Sequence, residues 1–83
     1  MVHFYKDNPE GYFGIGKVLF LAKDYENGID NVFVAHLLYI ENNSAYVKDS
    51  EILIAAYFQE LTNIGKGDLF IEKAKMYGIS LTE

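Results

Sequence analysis

A chain of 83 residues with a net charge of −5 makes one small domain, residues 1–83, and buries only about 60–65% of its unfolded surface, so its stability margin is thin. It has no cysteine, which excludes disulfides and thiolate metal sites, and seven lysines with no arginine, which argues against binding nucleic acid through phosphate neutralisation and guanine readout. No apolar run approaches the ~20 residues that span a membrane as a helix, so no membrane partner is expected.

Met1 to Gly11 shows no basic start followed by an apolar run, so no secretory leader is read there and a cytoplasmic location is expected. The chain is rich in Ile, Lys, Asn, Tyr and Phe and poor in Pro and Ala. AT-rich codons produce that bias, which points to a bacterial, phage or plasmid source.

Val2 to Lys6 reads as a first strand (2–6). Asp7-Asn8-Pro9-Glu10-Gly11 is a turn, with φ preset at Pro9. Tyr12 to Asp24 reads as a long second strand (12–24), bent or bulged at Gly14 and Gly16. Asn27-Gly28 is the strongest short-range hairpin signal in the chain, because a type I′ turn needs φ > 0 at both central residues. It leads into the third strand (31–40), whose run Val32 to Ile40 is the longest apolar stretch, interrupted only by His36. Asn42-Asn43 is a second, weaker turn into a short fourth strand (45–48).

The register set by Asn27-Gly28 places Ala22 opposite Phe33, Phe20 opposite Ala35 and Val18 opposite Leu37 on one face. On the other face Leu21 meets Val34, Leu19 meets His36, and Lys17 meets Leu38.

After Asp49-Ser50 the period changes. Ile54, Phe58 and Leu61 recur at helical spacing, and Gly65 ends the segment, which gives a helix over 50–64. Asp68 opens a second helix over 68–77, with Phe70, Ala74 and Tyr77 on one face and Gly78 as its stop.

The fold expected is α+β: a four-stranded antiparallel β-meander with two C-terminal helices packed on one face. An all-helical arrangement is the alternative, because periodicity alone does not settle the runs 18–22 and 32–40. In the meander, two helices cover one sheet face, yet strands two and three are apolar on both faces. A surplus aliphatic face follows, made of Leu19, Leu21, Val34, His36 and Leu38 and rimmed by Lys17 and Lys23. Such a face is either covered by the curl of the sheet or buried against a partner.

Motifs for chemistry are weak. No H-x-x-x-H pattern supports zinc. Asp24 to Asp30 resembles a calcium loop, but its glycine is one position early and Ala35 stands where a bidentate carboxylate is required. Gly14-Ile15-Gly16-Lys17 and Gly65-Lys66-Gly67-Asp68 are fragments of phosphate loops without the full pattern. No metal or cofactor is expected, and no serine is set like a nucleophile.

The reading is therefore a small acidic non-enzymatic interaction module. It acts as a homodimer or as an inhibitor or adaptor of a larger protein; its size and charge suit a phage- or mobile-element-encoded protein that occludes a basic nucleic-acid-binding partner. A small-ligand binder or an accessory subunit of a larger enzyme is the alternative. Nucleic-acid binding through exposed aromatics is a third reading, set against the acidic charge.

Overall fold

The computed structural model describes residues 9–79, which form four α-helices: α1 (Pro9–Leu21), α2 (Tyr25–Glu41), α3 (Val47–Asn63) and α4 (Gly67–Tyr77). Among these residues there is no strand, so the β-meander is overturned. The expected strands 12–24, 31–40 and 45–48 are α1, α2 and the entry to α3; the expected strand 2–6 lies outside the described residues. The helices read over 50–64 and 68–77 correspond to α3 and α4, but they pack on α2 and on each other instead of on a sheet.

Helix α2 is the hub. It packs against α1, α3 and α4, and α3 also packs against α4. Its buried residues Gly28, Ile29, Val32, Phe33, Ala35, His36 and Tyr39 recur at spacings of three and four. A helix touched from three sides is apolar around most of its circumference, and in sequence that looks like a doubly buried strand.

The reversal between α1 and α2 is not at Asn27-Gly28, which lies within the first turns of α2. It is at Lys23, which has φ 72°. There the Asp24 amide donates to the Leu19 carbonyl at 2.9 Å and the Lys23 amide to the Phe20 carbonyl at 3.0 Å, the paired bonds of a Schellman ending. The same pair of bonds closes α2 at Asn43, α3 at Gly65 and α4 at Gly78, each with positive φ.

Helices α1 and α2 run antiparallel in backbone contact. Phe13 meets Tyr39 edge-on at 5.7 Å near one end, and Phe20 meets Tyr25 at 4.9 Å near the other. Between them the helices cross on two glycines. A Cβ on Gly16 would lie 2.6 Å from Val32 Cγ2, 2.9 Å from the Val32 nitrogen and 3.0 Å from the Gly28 carbonyl oxygen. A Cβ on Gly28 would lie 3.0 Å from the Phe20 nitrogen. Gly14 and Gly16, read as a strand bulge, are therefore helical, and Gly16 is a crossing point.

The core gathers Phe20, Ile29, Val32, Phe33, Ile54, Leu61, Phe70 and Ala74 from all four helices. Aromatic rings connect them: Phe20 stacks on Tyr57 of α3 at 3.6 Å, and Phe33 meets Phe70 and Tyr77 of α4 edge-on at 5.2 and 5.7 Å.

Candidate interaction surface

Helix α1 is apolar on both sides, and among the described residues only one side is packed. Gly16 and Phe20 are buried against α2, and Phe13 lies half-buried beside them. The opposite side carries Ile15, Val18 and Leu21, which are 45%, 64% and 80% exposed, with Ala22 exposed and Gly11 and Gly14 half-buried. At 100° per residue these six positions span roughly one third of the helix circumference, and none carries a charge.

The seven positions singled out from sequence do not form one face. That grouping rested on alternation along strands, and a step of two on a helix turns a side chain by about 200°. Lys17 and Leu21 lie one turn apart on the exposed flank of α1, with Lys17 Nζ 4.8 Å from the Phe13 ring centroid. Lys23 is exposed just beyond the helix end, and Leu19 is half-buried. On α2, Val34 and Leu38 are half-buried one turn apart, and His36 is buried on another side. Ile15, Val18 and Ala22 were not among the seven. Their signal is a repeat of seven, Gly11 to Val18, Gly14 to Leu21 and Ile15 to Ala22, readable once the segment is known to be helical.

The comparisons bring no relative. Protein-family models, curated proteins and solved structures give no match to this chain.

Two polar joints hold the hub in place. At the first, His36 Nδ1 lies 2.6 Å from Ser50 Oγ, and Ser50 donates its hydroxyl proton to the Val47 carbonyl at 2.8 Å. With that proton committed, Nδ1–H donates to the serine, so the neutral ring carries its hydrogen on Nδ1. Protonation would place an imidazolium in a buried position beside the positive N-terminal end of α3. Burial accordingly holds His36 below its ordinary value of 6.5, with Glu51 acting the other way.

The unfolded chain takes up this proton near pH 6.5 and the folded chain only at lower pH, so stability falls as the pH drops below about 6.5. Thermal unfolding between pH 7.5 and 5 is expected to show a decrease in Tm that is shallower in His36→Gln. An equal slope in both chains would remove His36 as the cause.

At the second joint, Lys73 of α4 lies 2.9 and 3.1 Å from the two carboxylate oxygens of Asp30 on α2, and Tyr77 donates to Asp30 Oδ1 at 3.1 Å. Glu26 stands farther off, at 3.6 Å and mostly exposed, so it adds little. The hydrogen bond to Asp30 raises the Lys73 pKa, outweighing the burial that lowers it. The part of this stability that follows the lysine is full at neutral pH and is lost as the pH rises past the ordinary lysine value of 10.5.

Lys73→Met is expected to cost about 2 kcal/mol in urea unfolding, since it leaves the partly buried Asp30 with Tyr77 alone. Adding Asp30→Asn should recover part of that loss; strictly additive losses would show that the two residues are not coupled.

Both joints serve packing between helices. Among the described residues no group of three or more His, Asp or Glu side chains is placed to hold a metal ion, and no helix is long and apolar enough to cross a membrane.

Proposed function

We propose that the chain is a non-enzymatic protein-interaction module that acts in the cytoplasm and docks through the outer side of α1. The observation that supports this reading is the exposure of Leu21 and Val18, 80% and 64%, on a helix whose other side is already buried. Covering such a side chain is worth about 1.5–3 kcal/mol when complete, and these two leave most of it unused among the described residues.

Lys17 and Lys23 rim the surface, and Leu21 lies between them. The other sequence-derived positions lie off it. The net charge of −5 keeps a molecule with an open apolar strip soluble and directs approach to that strip. Function in this reading is occlusion or joining: the strip covers an apolar patch on another polypeptide, and the acidic body fixes which approaches are tolerated.

Site-specific photo-crosslinking in the protein's own cells tests it. A photoreactive side chain at position 18 or 21 is expected to give a discrete protein adduct, whereas one at the exposed Glu60 of α3 gives none. No adduct from either α1 position, or equal adducts from all three, would contradict the reading.

A further inference from the structure

We infer that the occupant of the α1 strip is a second copy of this chain, paired antiparallel through α1 about a two-fold axis. The inference rests on the docking reading above and names its partner. Two observations carry it.

The first is shape. Four of the six strip positions run small, large, large, small: Gly11, Ile15, Val18, Ala22. It reads the same in both directions. An antiparallel copy centred between Ile15 and Val18 sets Gly11 against Ala22 and Ile15 against Val18 of the second copy, twice over, as an isologous interface requires. The spacing of four, three and four is that of helices packing knobs into holes. Leu21, the most exposed of these side chains, then lies toward Gly14 of the second copy, where nothing stands within 4 Å of the space a Cβ would fill.

The second is charge. The six strip positions are uncharged, and α1 itself carries one acid, Glu10, and one base, Lys17. Helices α2 to α4 carry eight acids and three lysines. Two copies of a chain with net charge −5 approach with least repulsion through α1.

The area sets the strength of the pairing. One 13-residue helix is about 20 Å long, and three large side chains provide most of its strip. That is below the ~800 Å² per partner of a standard interface, so the dimer is reversible, with a Kd on the order of 10–100 μM. Because like-charged bodies repel over a Debye length of about 10 Å at 0.1 M salt, added salt should tighten it.

Sedimentation equilibrium over about 5–500 μM is expected to show a monomer–dimer equilibrium, tightened about two- to fivefold by raising salt from about 0.05 to 0.5 M and weakened at least tenfold by Val18→Glu. Since the chain has no cysteine, introduced thiols report the register cleanly. A mixture of Ile15→Cys and Val18→Cys chains should form the mixed disulfide in preference to either symmetric one, because facing positions bring Cα atoms within the ~4.4–6.8 Å a disulfide needs.

Monomer at every concentration, or a dimer indifferent to Val18→Glu, would overturn the second copy. Equal yields of all three disulfides would overturn the antiparallel register. A monomer in solution that still gives a heterologous photo-adduct from position 18 overturns the second copy alone and leaves the docking surface standing; loss of the adduct overturns the docking surface itself.

Discussion

Replacing Phe33 by alanine is expected to remove about 3–5 kcal/mol of stability, the largest single loss among aromatic truncations in this chain. Phe33 is 0% exposed at the point where α2 faces α4, and the rings of Phe70 and Tyr77 lean on it edge-on. Truncation leaves a void lined by two aromatic edges on different turns of one helix, and neither can close it without moving α4. An 83-residue domain has on the order of 4–12 kcal/mol in total, so the variant should be largely unfolded by 37 °C. Urea unfolding followed by far-UV circular dichroism gives the value. A loss under about 1 kcal/mol would mean that Phe33 does not sit at the hub.

Gly16 carries the second large effect. Valine there puts a branched side chain into space already held by Val32 Cγ2 and, at 2.9 and 3.0 Å, by backbone atoms of α2 that cannot step aside. The helices must separate along their crossing, and the expected cost is roughly 3 kcal/mol, against a gain of under about 1 kcal/mol in helix propensity. Gly14, two residues away on the same helix, has nothing within 4 Å of a built Cβ. Gly14→Ala is expected to raise stability by up to about 1 kcal/mol. Opposite signs at two neighbouring glycines are the signature of a one-sided helix crossing. A loss at both positions, or a gain at both, would show that α1 is not held to α2 through Gly16.

The second half of the chain was legible from sequence, and the first half was not. Ile54, Phe58, Leu61, Phe70 and Ala74 fall on one-sided helical stripes, and Gly65 and Gly78 mark the stops where the structure has its left-handed residues. Asn42-Asn43 also marks a true reversal. The first reversal carries no such mark, because its left-handed residue is Lys23, a type that pays a steric penalty at that conformation. The Asn-Gly pair four residues later has the favoured turn chemistry but lies inside α2, where Gly28 serves close approach to Phe20.

Misplacing that turn made two apolar segments into paired strands. Helix α2 hides its period because three helices surround it. Helix α1 hides its period because its outer side is as apolar as its inner side, which is the feature proposed here as the docking surface. Leu21 was legible as surplus apolar surface. Val18 was not, because the strand register placed it in the core opposite Leu37. His36 and Ser50 were legible only as separate residues; their bond depends on how α3 crosses α2.

The most direct test of the account is the thermal stability of Val18→Glu/Leu21→Glu beside Val32→Glu, at low micromolar concentration where the chain is monomeric. All three residues belong to apolar runs, but Val18 and Leu21 point away from the bundle whereas Val32 is 1% exposed under the Gly16 crossing. The double variant is expected to keep its Tm within a few degrees of the parent, since each exposed substitution changes stability by about 0.5 kcal/mol or less. Val32→Glu should not fold, because a buried carboxylate with no cation costs several kcal/mol. Unfolding of both chains would contradict the account and place the outer side of α1 inside the core.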